Sequence, residues 1–265
     1  VTLTPGGVGR NIAHDLCLLG LDVSLVSAVG DDSNGEFLLE RCRGLGMDVS
    51  RVRVVPGARS SSYLYITDER GDMQLAVNDM AVCNEISPEY LERVLPGIQA
   101  GALVLDTNLP VESLEFICRS SCIPLYADPV SSVKAMKLRS VMKHLRAIKP
   151  NALEAAALTG QTDPELAARA LIDEGVQRVF ISLGTNGMIA AEGSRILRMP
   201  SPEANVVNAT GAGDAAMSAI VWADLHGLSL EDSARAAQLA GAITCASEES
   251  NAPELSRLPG LLAAE

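Results

Sequence analysis

The order of apolar and helical segments constrains this chain more than any other feature. From residue 102 onward, short apolar runs alternate with runs of helical spacing. Strands are expected at 102–106, 124–128, 146–149 and 178–182, and helices at 111–119, 151–158 and 164–173. Such alternation predicts a mainly parallel sheet covered on both faces by helices. Ahead of it, a glycine turn enters a helix over 6–19 with Ile12, Leu16 and Leu19 on one face. A strand at 22–29 and a helix at 34–45, ended by Gly46, follow. Residues 187–191 and 196–199 read as an antiparallel pair, and helices at 213–226 and 230–246 close the pattern.

Between residues 50 and 80 the alternation breaks. Residues 61–67 and 73–77 read as a hairpin joined by 68–72, with 52–55 as a third strand of a small separate sheet. Its modest hydrophobic content suits a lid lying over a site. The expected fold is therefore α/β in three layers (α/β/α), one domain over 1–265 with a small β lid at about 50–80.

Hydrophobic residues make up 48% of the chain but aromatics only 3%, so the core must be built from Ala, Val, Leu and Ile. The formal net charge of −12 argues against a polymeric nucleic acid partner, which needs a basic footprint. A small anion remains bindable through local backbone dipoles and a metal. The six cysteines are scattered, which points to free thiols in a reducing compartment, the cytoplasm being the expected location. His14, His144 and His226 lack metal-ligand spacing and read as surface or packing residues. No apolar run reaches the length of a membrane span.

Chemistry concentrates in four segments. In Asn208-Ala209-Thr210-Gly211-Ala212-Gly213-Asp214, a glycine turn runs directly into an apolar helix. Free N–H groups then converge on one spot with the helix dipole behind them, a natural anion site. Asp214 beside that spot is placed to take a proton from a hydroxyl attacking a phosphoryl group. An ordinary helix start would also favour small residues and an acid here. In Gly6-Gly7-Val8-Gly9-Arg10-Asn11, the glycines allow close approach of a polyol, and Asn11 can both donate to and accept from vicinal hydroxyls. Asn151 and Glu154 have the spacing of a capping box after Pro150, and by spacing alone the cap is favoured over a role near phosphates. Ser182-Leu183-Gly184-Thr185-Asn186-Gly187 follows an apolar strand, where it serves as a turn or touches a nucleotide.

Taken in order, the glycine-rich start with Asn11, the stretch from Ala28-Val29-Gly30-Asp31-Asp32 to Gly35, Asn151-x-x-Glu154 and Thr210-Gly211-Ala212-Gly213-Asp214 resemble the ribokinase-like (PfkB type) carbohydrate and nucleoside kinases over nearly the whole chain. The likeness is greatest to the branch of that family acting on pseudouridine. It rests on residues 4–13, Ser61-Ser62-Tyr63-Leu64, Val77-Asn78-Asp79-Met80, Asp128-Pro129-Val130-Ser131, the 207–214 stretch and 251–256. Asn208, where many relatives carry Asp, fits that branch. The family begins with a strand ahead of the glycine-rich loop, so further residues are expected before Val1.

The resemblance implies a three-layer ribokinase-like fold and ATP-dependent phosphorylation of the 5′-hydroxyl of pseudouridine. It implies Asp214 as base, with Gly211, Ala212 and Gly213 stabilising the transferred group. Gly6, Gly7, Asn11, Ser62, Tyr63, Asn78 and Asp79 would hold the nucleoside. Asn151, Glu154, Ser182, Gly184, Thr185, Gly187, Thr210 and Gly241 would meet the nucleotide. Mg²⁺ would be reached from Glu154 through water, and K⁺ from Asn208, Thr210, Ala246 and Ser250. Lids in this family pair across homodimers. A different sugar or nucleoside acceptor, or a nucleotide-binding regulatory protein without turnover, are the alternatives.

Overall fold

The computed structural model describes residues 3–67 and 73–263; the turn expected at 68–72 lies outside them. In chain order the elements are α1 (Val8–Leu18), β1 (Ser27–Gly30), α2 (Ser33–Gly44), β2 (Val52–Val55), β3 (Ser62–Thr67), β4 (Met73–Asp79), α3 (Pro88–Val94), β5 (Leu103–Asp106), α4 (Val111–Ser120), β6 (Leu125–Asp128) and α5 (Ser132–Ala135). They continue with β7 (Leu145–Ile148), α6 (Ala152–Thr159), α7 (Pro164–Asp173), β8 (Arg178–Ser182), β9 (Met188–Glu192), β10 (Arg195–Met199), α8 (Ala212–Leu225), α9 (Leu230–Cys245) and α10 (Leu258–Ala263).

Six strands form one sheet in the order β10-β9-β8-β7-β6-β5. β5 to β8 run parallel, while β9 and β10 turn back antiparallel. Alternate side chains feed two cores, as the pleat requires. Leu125 and Ala127 of β6, and Val179 and Ile181 of β8, enter a core shared with α3, α4, α6 and α7. Tyr126 and Phe180 point the other way, against Ile12 and Leu16 of α1 and against α8 and α9. The sheet is thus sandwiched between two helical layers. α8 is apolar all round because its far face packs a third cluster, with Trp222, α9, Leu255 and Leu258.

Three local expectations change. The strand expected at 22–29 shortens to β1, because Val23 and Leu25 are used against Cys42 and Met47 and only a single bridge, Ser24 to Asp48, precedes it. Val52–Val55 does not join the hairpin; β2 pairs in parallel with β1, and the hairpin β3–β4 is a separate two-stranded sheet. α3 has no counterpart in the periodicity reading. It is one short segment started by Ser87, which accepts from the Tyr90 N–H, with Pro88 in its first turn.

Candidate active site

The parallel strands end in polar residues, and these gather at one edge of the sheet: Asp106 closing β5, Asp128 closing β6, Lys149 just after β7 and Ser182 closing β8. The carboxyl ends of parallel strands are where open α/β sheets bind ligands. α1 and α8 both begin there.

α8 starts from a turn that only glycine can make. Gly211 has φ of 87°, and a Cβ on it would stand 2.0 Å from the Ser250 carbonyl oxygen. The turn therefore lies flat on the 245–250 segment. The Thr210 N–H donates to Asn208 Oδ1 (2.9 Å), and Asn208 Nδ2 donates to the Glu248 carbonyl (3.1 Å). Gly241 of α9 packs beneath, with a Cβ position 3.6 Å from the Ala212 carbonyl. Asn208, Thr210, Gly241 and Ser250 are thus brought to one place, with Ala246 ending α9 beside them.

Asp214 sits in the first turn of α8. Its Oδ2 accepts from Asn11 Nδ2 at 2.7 Å, across 203 residues of sequence. Ser218, one turn on, locks the two helices by donating to the Ile12 carbonyl (3.2 Å) and to the Asp214 carbonyl (2.9 Å). Burial raises the Asp214 carboxyl from 3.8 to about 7; the nearby charges of Asp128 and Asp106 add to this, while Asn11 and Lys149 oppose it. A carboxylate with so raised a pKa at a helix N-terminus, where the dipole favours anions, is chemically equipped for proton transfer.

Lys149 is the cation of the site. It is buried, its ammonium lies 3.2 Å from Asp128 Oδ2, and Gly213 faces it closely enough that a Cβ would sit 3.4 Å from Nζ. Burial by itself would lower its pKa, but Asp128, Glu154 and Asp214 outweigh that and hold it raised. Asp128 is fixed by an unusual turn. Val130 has φ of 62°, its N–H donates to Asp128 Oδ1 (2.8 Å), and the Ser131 N–H donates to the Pro129 carbonyl (2.6 Å). A β-branched residue in that region costs about 1–3 kcal/mol, a strain found mostly at functional sites.

Asn151 and Glu154 form a reciprocal capping box on α6: the Glu154 N–H donates to Asn151 Oδ1, and the Asn151 N–H to Glu154 Oε2, both at 2.9 Å. Glu154 is buried, and burial raises its pKa. Asn151 also bridges to Ser182, joining two of the expected nucleotide segments. Together with Ala152, Leu153, Pro164, Leu183, Gly184, Asn186 and Arg198 they line a cleft of about 430 Å³. Thr185 and Gly187 complete the turn between β8 and β9, where the Leu183 N–H donates to the Gly187 carbonyl (2.8 Å).

The four hairpin residues expected to meet a substrate are cross-strand partners: Ser62 opposite Asp79 and Tyr63 opposite Asn78. All are solvent-accessible, and Asp79 also accepts from the Ala81 N–H (3.1 Å). The hairpin root is tied to the site edge, since Ser61 Oγ lies 3.6 Å from the Cys83 thiol, which in turn feels Asp106, Lys134 and Lys137. Gly6 and Gly7 precede α1, and the Gly9 N–H donates to Asp106 Oδ2 (3.0 Å). The Gly30–Gly35 stretch is structural: a Cβ on Gly35 would meet the Gly30 carbonyl at 2.3 Å, and Asp32 caps α2 while holding Ser60.

Asp106, Asp128 and Lys149 were assigned no function from the sequence, although Asp128 lies in a stretch that carries the family resemblance. Their signal was a polar residue closing an apolar parallel strand. His14 is half-buried with its Nδ1 3.4 Å from Arg10 Nη1, a packing position. Among the described residues no group of three or more His, Cys, Asp or Glu could hold a metal directly. Asp128 pairs with the Lys149 ammonium while Glu154 and Asp214 act on it electrostatically, and this excess of negative charge fits a divalent cation that keeps its waters and arrives on a polyphosphate. All six cysteines are free, and among the described residues no helix is long and apolar enough to cross a membrane.

Known proteins resemble this chain over nearly its whole length. The chain is 38% identical to the pseudouridine kinase of Escherichia coli (strain K12) over 264 residues, covering 97% of this chain and 84% of that one. It superposes on a carbohydrate kinase from Agrobacterium tumefaciens with a TM-score of 0.79 at 28% identity, covering 97% and 86% of the two chains. A ribokinase from Thermotoga maritima shares the fold with a TM-score of 0.88 at 20% identity, covering 100% and 89%. The family model described as pfkB family carbohydrate kinase matches residues 1–257, so the chain belongs to the PfkB family of carbohydrate kinases.

Proposed function

We propose that this phosphotransferase acts on a nucleoside, moving the γ-phosphoryl group of ATP to the 5′-hydroxyl of pseudouridine. The observation that carries the reaction type is Asp214, with its raised pKa, bonded to Asn11 and seated behind the Gly211–Gly213 turn. The near-full-length similarity to a pseudouridine kinase supports the acceptor.

In this reading Asn11 and the Gly6–Gly7 turn hold the ribose, and Asp214 takes the proton of the attacking hydroxyl. The N–H groups of Gly211, Ala212 and Gly213 face the charge that develops on the transferred group, and Lys149 adds a buried positive charge beside them. Leu153 and the Ser182–Gly187 turn receive the nucleotide at the cleft. Bound Mg²⁺ would neutralise phosphate charge, and Glu154 and Asn151 would meet its water shell. The hairpin carries Ser62, Tyr63, Asn78 and Asp79 toward the base and excludes water on closing.

A sugar-phosphate acceptor is less well served. Lys134 is held by Asn108 (2.6 Å), Lys137 by the Thr107 and Leu109 carbonyls (2.9 and 2.8 Å), and Lys149 by Asp128.

Two finer features belong to the same proposal. The Asn208–Thr210 loop and the 246–250 segment would hold K⁺, which potassium-independent turnover would refute. The hairpin side chains Leu64, Ile66, Leu75 and Val77 are more than half exposed, and they would pair two copies through the lid. Sedimentation showing a monomer at working concentration would remove that pairing.

The deciding experiment follows ATP-to-ADP conversion with Mg²⁺ and K⁺ against pseudouridine, uridine, adenosine, ribose and fructose 6-phosphate. Preference for pseudouridine with a 5′-phosphate product is expected. Preference for another acceptor would keep the mechanism and discard the substrate. ATP binding with no turnover would discard the enzyme reading.

A further inference from the structure

Behind Asn11 lies a buried polar chain that the reaction as described does not use. Arg10 Nη2 donates to the Pro5 carbonyl (2.7 Å), to Asn251 Oδ1 (2.9 Å) and to Asn11 Oδ1. Asn251 Nδ2 donates in turn to the Asn11 carbonyl (3.0 Å) and to Asp15 Oδ1 (2.8 Å). Asn251 and Asp15 are buried, and Asp15 Oδ2 has no partner among the described residues. The chain thus joins α1 to the segment that directly follows Ser250, whose carbonyl seats the Gly211 turn.

The chemistry of these groups fixes an orientation. A guanidinium has donors only, so the amide of Asn11 must turn its oxygen to Arg10. Its nitrogen is then left facing Asp214, and a donor bonded to the charged form of a carboxylate favours that form. Turning the amide over would set its NH₂ against Arg10 and its oxygen against Asp214, two repulsive contacts in place of two bonds.

We propose that Arg10 and Asn251 are positioning residues that lock the Asn11 amide in the one orientation that keeps Asp214 ionised and aimed at the acceptor hydroxyl. Neither residue touches the reacting atoms. The role rests on the proposed kinase reading, but it also has a readout that needs no turnover, the titration of Asp214 itself.

Hydrogen bonds to charged groups are worth about 1.5–3 kcal/mol, so loss of the orienting bond corresponds to about a tenfold effect or more. Arg10→Ala is expected to lower kcat about tenfold while the KM for the nucleoside moves less than about threefold. The Asp214 carboxyl, followed by ¹³C NMR, should titrate at higher pH than in the parent. Added guanidinium ion should restore part of kcat, which a merely structural lesion would not allow. Asn251→Ala should shift the Asp214 titration in the same direction by less. If Arg10→Ala does not fold, Arg10→Lys is read by the same titration, because one ammonium on a different stem does not reproduce the planar fork.

An unchanged Asp214 titration in the folded variants overturns the inference. So does a kcat loss that guanidinium leaves untouched and that tracks only a lower unfolding midpoint. A parent protein that phosphorylates no acceptor defeats the kinase reading instead, and the titration still judges this one.

Discussion

Two half-buried carboxylates stand at opposite ends of α8, and they are treated in opposite ways. Asp224 ends α8 near the start of β7 and β8. It accepts from Arg146 Nε and Nη2 (2.8 and 2.7 Å), from Arg178 Nη1 (3.0 Å) and from the Tyr126 hydroxyl. Burial would raise its pKa, but the bonds from Arg146 and Tyr126 and the two guanidinium charges hold it below the usual carboxylate value. Asp214 begins the same helix. It has one neutral donor, Asn11, and shares a single ammonium with two other carboxylates. One end of α8 is saturated with partners and holds the fold together; the other is left short of them and can exchange a proton. A carboxylate cannot do both, because every added donor that secures it also weakens it as a base.

The comparison breaks most visibly at its structural end. Asp224→Ala would take the shared carboxylate from Arg146, Arg178 and the Tyr126 hydroxyl, leaving Glu192 on Arg178 as the remaining counter-charge. Removing one partner of a buried ion pair costs about 3–5 kcal/mol, so a large drop in unfolding free energy by urea titration is expected. Nucleotide affinity of the folded fraction should be unchanged, since the site lies at the far edge. A stability loss under about 1 kcal/mol would show that the cluster is not holding the two ends of the sheet together.

Asp214→Asn should do the reverse. Loss of a general base costs roughly a hundredfold or more in kcat, equivalent to about 2.7 kcal/mol of barrier, with both substrates still bound. Stability should not fall, because the neutral amide removes a poorly compensated, half-buried acid. Turnover near the parental rate would take the base role away from Asp214.

Acidity sharpens the same contrast. The folded pKa of Asp214 is raised, from 3.8 to about 7, and so is that of buried Asp15. Stability from such groups is fully present below about pH 4 and is lost as pH rises toward 7. Asp224 has a lowered folded pKa, so its contribution is present above about pH 4 and is lost as pH falls through its folded value. Catalysis needs Asp214 ionised, so kcat/KM should fall about tenfold per pH unit below about 7 and level off above it. Rate and the Asp214 share of stability therefore move in opposite directions between pH 4 and 7. A rate profile flat from pH 5.5 to 8 would contradict this assignment.

Much of this was legible in the sequence because the relevant physics is local. The Gly211–Asp214 turn, the Asn151–Glu154 box and the strand–helix alternation each lie within a few residues, and spacing alone exposes them. The six-stranded sheet follows the expected order of elements with ends shifted by a residue or two. What sequence pattern missed is long-range. Asn11 meets Asp214 across 203 residues, and Asn251 meets Asp15 across 236. Asp15 stands one helical turn after Asn11, on a face that otherwise points inward, and that misplaced acid was the one trace of the chain behind the site. The pairing of β2 with β1 was equally hidden, since three half-buried residues and one exposed one do not declare which neighbour they will take.

The smallest expected effect separates two uses of one residue. Asn151 caps α6 and also lines the cleft. Losing a side-chain N-cap costs about 1 kcal/mol. Asn151→Ala should therefore lower stability by about that amount in a urea titration, since the Glu154 N–H loses its acceptor at the helix start. If Asn151 also meets the nucleotide through water, the KM for ATP should rise while the KM for the nucleoside stays put. Asn151→Asp separates the two further. It restores a capping oxygen, so stability should return, but it adds a negative charge beside the phosphates, so ATP affinity should stay low or fall again. Stability lost and recovered with the KM for ATP unchanged in both variants would make Asn151 a helix cap only, and the nucleotide would then be held by Ser182, Gly184 and the turn that follows them.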